Sequence, residues 1–289
     1  MKIKAYILNA FTKSGSGGNA AGVVLAADNL REDEMKKIAA FLGYSETAFV
    51  MKSACADFKV RFFTVNDEVD LCGHATVGAY SVLASLGHIN PGSYLQETNA
   101  GILKIQINND FSIMMSQQLP AFDSMIDKKE VASSLNIHTR EIDEYLPVQI
   151  VSTGLRDILI PVKNKNILYS IQPNFEEIST ISKKYNAIGY HVFALESHNN
   201  ISAQCRNFAP LFGIPEESAT GTSNGALGCY LFKYGKVDSN LAKSLIFEQG
   251  YTMKKQSEIA VSLSVKDKEI IDVMVGGKTS SISETEIEI

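Results

Sequence analysis

Five side chains in this sequence are placed to do acid–base chemistry. Glu46 sits in the apolar stretch GYSETAFVM, between Tyr44 and Phe49. A carboxylate in an apolar strand is uncommon. If buried, it loses solvation, and its pKa rises toward the range of a general base near neutral pH. Strand alternation could instead turn it to a wet face. His74 opens the stretch HATVGAY just after Cys72-Gly73. Near a helix N-terminus an imidazole is biased toward its neutral form, which can hydrogen-bond a substrate or shuttle a proton, or simply cap its own helix. Glu217 and Thr222 bracket the start of a second glycine-led stretch, ESATGTSNG. A carboxylate before a helix is favourable on dipole grounds alone, and Thr can cap. Their functional reading is a proton relay and a substrate hydrogen bond. Cys72 could be a thiolate, since a helix N-terminus lowers a thiol pKa. Its counterpart in the second stretch is Thr220, whose hydroxyl is too weak an acid to match it. Racemisation by two like bases is therefore disfavoured, and a single base that takes and returns a proton on one face remains open.

These residues lie on a sequence that repeats itself. Residues 72–87 read CGHATVGAYSVLASLG and residues 220–235 read TGTSNGALGCYLFKYG. Each is a small-residue helical stretch that opens beside a Gly and stops at a Gly. Each helix start offers free backbone N–H groups and a positive dipole end. Two such starts facing one cleft would suit an anionic small molecule. The repeat extends upstream. GGNAAGVVLAADN is matched by STGLRDILIPVKN, a glycine followed by an apolar strand. REDEMKKIAAFLG, with Met35, Ile38, Phe41 and Leu42 on one helical face, is matched by PNFEEISTISKKY, with Phe175, Ile178, Ile181 and Tyr185. The strands YSETAFVM and GYHVFALES follow, and then Arg61-Phe62-Phe63-Thr64 parallels Arg206-Asn207-Phe208-Ala209. Successive matches in one order argue for duplication. Only the first copy carries an acid in the strand after its amphipathic helix.

The expected fold class is α+β. It has two pseudo-symmetric domains, each a mainly antiparallel curved sheet wrapped around a central helix that is small or apolar all round. The boundary is expected near Pro120, giving residues 1–119 and 120–289. The closing stretch EIAVSLSVKDKEIIDVMVGGKTSSISETEIEI alternates like strands. Gly276-Gly277 is expected to turn, and the last strand could pair back with the first domain. The opening MKIKAYILNAFTKSG is expected to be the first strand rather than a signal peptide.

A chain of 289 residues with 45% hydrophobic and 20% charged residues is long enough for two cores and ordinary for a globular protein. Its net charge of -5 leaves no basic footprint for nucleic acid. No apolar run approaches the roughly 20 residues that cross a bilayer. The four cysteines, Cys55, Cys72, Cys205 and Cys229, form no C-x-x-C pair, so neither a zinc site nor a disulfide framework is expected. Free thiols fit a reducing cytoplasm. SGSGGNAAG lacks the Gly-Lys-Ser/Thr ending of a phosphate loop and reads as a turn that brings backbone near the cleft.

The segments GGNAAGVV, SETAFV, DLCGHATVGAY and FGIPEESATGTSNGAL resemble those of the PhzF-like proteins, named for the phenazine biosynthesis isomerase. The resemblance spans essentially the whole chain. More distantly, the duplicated layout is similar to diaminopimelate epimerase and proline racemase. It implies an active site between the halves at the two central helix starts, no cofactor, no metal and a homodimer. The phenazine enzyme moves a proton between ring carbons of trans-2,3-dihydro-3-hydroxyanthranilate. By the resemblance, the catalytic Glu of its S-E-T motif is Glu46, and the His of its G-H motif is His74. Its Asp before A-T-G-S falls at Glu217, and the Ser ending that segment at Thr222. The last two positions keep the chemical type and change reach or bulk, which puts the phenazine substrate itself in question. Asn19, Gly73 and Gly221 are the expected substrate-binding positions.

The function expected is a cofactor-independent isomerase acting on a small carboxylate, with no nucleic-acid or membrane partner. The rivals are a racemase that pairs Cys72 with Glu46 and a non-catalytic carboxylate-binding protein.

Overall fold

The computed structural model describes residues 2–195 and 201–289. They form two compact units, Met1–Ser116 with Gly276–Ile289, and Gln117–Val275. The first unit holds strands β1 (Lys2–Ala10), β2 (Asn19–Val24), β3 (Thr47–Met51), β4 (Phe58–Phe63), β5 (Glu68–Val69), β6 (Gly92–Thr98), β7 (Gly101–Ile107) and β8 (Ile113–Ser116). Its helices are α1 (Glu32–Leu42) and α2 (Gly73–Ser85). Along the sheet, β1 pairs antiparallel with β2, β2 parallel with β3, and β3 antiparallel with β4. Next, β4 pairs antiparallel with β5 and parallel with β6, and β7 lies antiparallel between β6 and β8.

The second unit repeats this pattern. Its strands are β9 (Ala121–Ile126), β10 (Val148–Ser152), β11 (Arg156–Val162), β12 (Gly189–Leu195), β13 (Ala203–Ala209), β14 (Ile214–Glu217), β15 (Leu245–Gln249), β16 (Ser257–Lys266) and β17 (Glu269–Gly277). Its helices are α3 (Lys128–Ser134), α4 (Lys165–Ser170), α5 (Phe175–Lys184) and α6 (Gly221–Lys233). Strand β10 pairs antiparallel with β11, β11 parallel with β12, and β12 antiparallel with β13. Strand β13 pairs antiparallel with β14 and parallel with β15, and β15 antiparallel with β16. The last strand, β18 (Ser283–Glu288), lies antiparallel against β1 in the first unit, and β9 takes the same place against β10 in the second. Antiparallel pairs predominate in both units, as the sequence predicts. Of the strand expected over GYHVFALES, Glu196 and Ser197 lie outside the described residues, as does Met1 of the first strand.

Each unit surrounds one helix. Residues 74–80 of α2, with Val82 and Leu83, are buried on every side. The helix packs against β1, β2, β3 and β8. Residues 223–231 of α6 are buried in the same way, against β10, β11 and β16. Both helices are short of charge because no face meets water. The amphipathic helices cover outer faces: α1 buries Met35, Ile38 and Ala39, and α5 buries Ile178, Ile181 and Ser182. Phe41, expected on the buried face, is 67% exposed. At 100° per residue it falls to the side of the stripe set by Met35, Ile38 and Leu42.

The glycine pair near the end was also misread as a turn. The turn between β16 and β17 is Asp267-Lys268, both with positive φ (51° and 68°). Gly276 and Gly277 continue β17. A Cβ on Gly276 would sit 1.8 Å from the carbonyl oxygen of Ile113. The residue is glycine because another backbone passes against it.

The duplication reaches individual side chains. Arg61 on β4 makes two 2.7 Å hydrogen bonds to Glu68 on β5 and lies 5.0 Å from the Phe63 ring. Arg206 on β13 bonds Glu216 on β14 at 2.9 and 3.0 Å and lies 4.8 Å from the Phe208 ring. A planar guanidinium suits both the paired carboxylate and the ring face.

Candidate active site

In the first unit, three segments bring the expected residues together. Glu46 directly precedes β3 rather than lying within it, and its carbonyl accepts from Gly22 N–H at 3.3 Å, which extends the β2–β3 ladder by one bond. The chain thus delivers the Glu46 side chain at the mouth of the parallel pair. Cys72 is the extended N-cap of α2 (φ −139°, ψ 118°), Gly73 its first residue and His74 its second. Asn19 opens β2.

Glu46 Oε2 lies 3.1 Å from His74 Nε2. The approach is out of line, so this buried oxygen has no well-formed hydrogen bond. Ser45 Oγ is 3.2 Å from Nε2, and the Asn19 amide is 3.4 Å from Nδ1. Cys72 Sγ is 3.4 Å from Nδ1 and 3.8 Å from Nε2. His74 and Cys72 are buried, while 21% of the Glu46 side chain remains open to solvent.

Charge in this cluster runs opposite to the simple expectation. Burial is the largest influence on Glu46 and raises its pKa, but His74, Ser45 and Cys72 together outweigh it, and the net shift is downward. Burial lowers the pKa of His74, yet the Cys72 sulfur and the Glu46 carboxylate beside it carry it well above its ordinary value. Burial pushes the Cys72 thiol up, not down as its helix-start position suggests. Glu46 is therefore the durable anion at neutral pH, and the pair stands as carboxylate and imidazolium. The Cys72 sulfur and the Glu46 carboxylate together override the helix dipole that would have favoured neutral His74.

The second unit presents a different arrangement at its helix start. Glu217 ends β14, Thr220 is the N-cap of α6, Gly221 its first residue and Thr222 its second, the position His74 holds in α2. The Thr220 hydroxyl donates to Glu217 Oε2 at 2.7 Å. Gln249, at the end of β15, donates to Thr220 Oγ1 at 3.0 Å and to the Glu217 carbonyl at 2.8 Å. Asn224 Nδ2 donates to Gln249 Oε1 at 3.0 Å, and its Oδ1 is 3.3 Å from His191 Nε2. Asn207 Nδ2 reaches His191 Nδ1 and Ser223 Oγ, each at 3.2 Å, and Ser223 donates to Asp157 Oδ2 at 2.8 Å. This buried chain ends on a carboxylate at each side. With Nδ1 accepting, His191 donates from Nε2, and burial holds its pKa down at about 4. Thr222 accepts at its carbonyl from Thr153 Oγ1 at 3.1 Å.

Sequence reasoning missed Asp157, His191 and Gln249. It also missed why the second copy lacks the Glu46 acid. Thr47 pairs with Phe63, and Tyr190 with Phe208. Since Arg61 corresponds to Arg206, the residue matching Glu46 is Gly189. A Cβ there would lie 2.0 Å from the Phe208 carbonyl oxygen, so no side chain fits. The neighbour of Gly189 across the parallel ladder is Asp157. The second unit thus has its own acid, carried by the adjoining strand. Burial, tempered by Ser223 and reinforced by Glu217, pushes the pKa of Asp157 up to about 7.

The sequence matches the family model "Phenazine biosynthesis-like protein" over residues 8–285. It is 37% identical over 297 residues to an uncharacterized isomerase of Clostridium acetobutylicum, covering 99% of this chain and 98% of that one. Its structure resembles the crystal structure of a PhzF-family phenazine biosynthesis protein of Bacillus anthracis, with a TM-score of 0.89, 33% identity and all of both chains covered. The trans-2,3-dihydro-3-hydroxyanthranilate isomerase of Pseudomonas chlororaphis is 25% identical over 239 residues, 80% of this chain and 81% of that one. This chain belongs to the phenazine biosynthesis-like family, and it is an isomerase.

Proposed function

We propose that the protein is a cofactor-independent isomerase that moves a proton within a small carboxylate, with Glu46 as the single general acid and base. The observation that carries this reading is the Glu46–His74 contact of 3.1 Å at the start of α2. It keeps a carboxylate ionised and partly open, ready to accept a proton. The first N–H groups of α2, near Gly73, have no partner within their helix and can hold an anion. The same holds for those of α6, near Gly221. Such donors stabilise the charge that builds on a substrate carbonyl or carboxylate after deprotonation.

The steps follow from the charges. In the free protein the imidazolium keeps Glu46 a weak base. An anionic substrate that displaces water beside Glu46 raises its pKa, because burial and like charge both disfavour the carboxylate. Glu46 then takes the proton and returns it to a different atom of the same molecule. General acid–base catalysis of this kind contributes about 10²–10⁴ in rate. His74 holds Glu46 in place. Asn19 and Gly73 bind the substrate beside it, and within the second unit Glu217, Thr222 and Gly221 are the positions for substrate contact and proton relay. The named activity of the Pseudomonas chlororaphis relative supports a cyclic, unsaturated carboxylate as the substrate class. The buried Cys72 thiol speaks against a racemase that uses it as a second base. The reading includes a homodimer in the cytoplasm, where exposed, unpaired Cys55 would stay reduced.

The experiment is incubation with a panel of hydroxylated and amino cyclic carboxylates in D₂O. Deuterium wash-in at one carbon of one compound, followed by NMR, is the expected result. Tight binding of a panel member with no exchange at any carbon would mean a carboxylate sensor instead.

A further inference from the structure

We propose that Gln249 is a positioning residue: its buried amide aims the Thr220 hydroxyl at Glu217 and holds that side chain as a carboxylate, ready to receive a proton. Gln249 ends β15 and is fully buried. All four hydrogen-bonding positions of its amide are taken, two donors and two lone pairs. Nε2 donates to the Glu217 carbonyl at 2.8 Å and to Thr220 Oγ1 at 3.0 Å. Oε1 accepts from Thr220 N–H at 3.3 Å and from Asn224 Nδ2 at 3.0 Å.

Two of these partners belong to the backbone and fix the direction of the rest. A carbonyl can only accept and an N–H can only donate, so the amide has one allowed orientation. Thr220 Oγ1 then receives a proton from Gln249, and its own proton must go elsewhere. It goes to Glu217 Oε2, 2.7 Å away. A hydroxyl that donates to a carboxyl oxygen favours the ionised form. The same logic runs the other way along the chain. Asn224 Nδ2 also donates to the Thr220 carbonyl at 2.9 Å, which turns its Oδ1 toward His191 Nε2. His191 must therefore carry its ring proton on Nε2.

The first unit supplies a comparison within one chain. With Arg61 matched to Arg206, the strand registers place Val69 where the second unit has Glu217. Extended by one residue, they place Thr98 where it has Gln249. Thr98 donates within its own hairpin, to the Gly101 carbonyl at 2.9 Å. The acid and its amide thus occur together in one copy, and both are replaced in the other. An amide that served only the sheet would have no reason to follow the acid. The relay use of Glu217 rests on the function proposed above; the direction of the hydrogen bonds does not.

The test is NMR on the full chain. Ring ¹⁵N shifts of wild-type His191 should show the neutral form protonated on Nε2, and protonation on Nδ1 would overturn the proposal. With ¹³C-labelled Glu, the Glu217 carboxyl is assigned by its absence in Glu217→Gln. It should titrate at least about half a unit higher in Thr220→Val and in Gln249→Met. Thr220→Ser, which keeps the hydroxyl, should titrate as the wild type. The double variant should shift no further than Thr220→Val alone, because the amide acts through the hydroxyl. Shifts that simply add, or no shift in Thr220→Val, would overturn the proposal. Should Gln249→Met fail to fold, Thr220→Val and the wild-type tautomer decide alone. On a compound that exchanges deuterium, Gln249→Met should lower kcat more than it changes KM. Unchanged exchange beside the expected NMR shifts would leave the hydrogen-bond direction standing and refute the relay role of Glu217.

Discussion

Asp157→Asn should stabilise the protein by clearly more at alkaline pH than in mild acid. Asp157 is 2% exposed and accepts from Ser223. Burial and Glu217 push its pKa up to about 7 from 3.8. The sign follows from proton binding. Below pH 3.8 folded and unfolded chains both hold the proton, and there is no difference. Between the two values the unfolded chain releases it and the fold keeps it, so stability falls as pH rises. Above about 7 both have released it, and the fold carries the full cost of a buried carboxylate. A shift of about 3 units at about 1.4 kcal/mol each gives about 4 kcal/mol. Asn keeps an oxygen for Ser223 and cannot ionise. Urea unfolding of both proteins at pH 5 and pH 9 reads this group, because every titration except that of its charged neighbour Glu217 cancels in the difference. The variant should gain at least about 2 kcal/mol on the wild type between the two conditions. An equal difference at both pH values would refute the reasoning, since Asp157 would then be ionised in the fold throughout.

The remaining predictions concern the ion pairs and the tight backbone contacts. The His74 imidazole should titrate well above 6.5 by NMR in the wild type and move downward in Glu46→Gln, where burial is opposed by the Cys72 sulfur without the carboxylate. The stability it lends with Glu46 is present between the two pKa values, fading as pH drops below the carboxylate range or climbs through that of the imidazolium. An unmoved His74 titration would mean that Glu46 does not hold its charge. Arg206→Met should destabilise by about 1.5–3 kcal/mol in urea unfolding, because half-buried Glu216 loses its paired donors and keeps only Thr252. Arg61→Met should cost less, since Arg61 is 20% exposed where Arg206 is 7%, while their glutamates differ little (19% and 16%). Equal losses would contradict the burial difference. Gly189→Ala and Gly276→Ala should each cost about 1–3 kcal/mol or more from overpacking, since the added Cβ meets a carbonyl oxygen at 2.0 and 1.8 Å respectively. A neutral thermal-unfolding result for either would show that the backbone yields there.

Much of the architecture was legible because it rests on local patterns written twice. The two Gly-opened helices, the amphipathic helices ending near Gly43 and Tyr185, and the Arg61 and Arg206 strands all carry their signals in adjacent residues. The meeting of Glu46 with His74 was not visible from periodicity or spacing; only the family resemblance put the two in one site. What was lost depends on neighbours distant in sequence. The pKa directions of Glu46, His74 and Cys72 each follow, in the sequence, from one residue and its own strand or helix, whereas the three sit against one another and reset the charges. Gly276 looked like a turn because the passing carbonyl of Ile113 lies more than 160 residues away in the chain. Asp157 lies in STGLRDILIPVKN, which reads only as a glycine followed by an apolar strand. Its pairing with Gly189 across a parallel ladder, and its reach to Ser223 on α6, have no local sign at all.

The measurement closest to the chemistry is proton exchange by Glu46→Gln on whichever compound the D₂O panel identifies. Binding should persist within a few-fold while the deuterium wash-in rate falls by about 10²–10⁴. Exchange at the wild-type rate in that variant would show that some other group moves the proton.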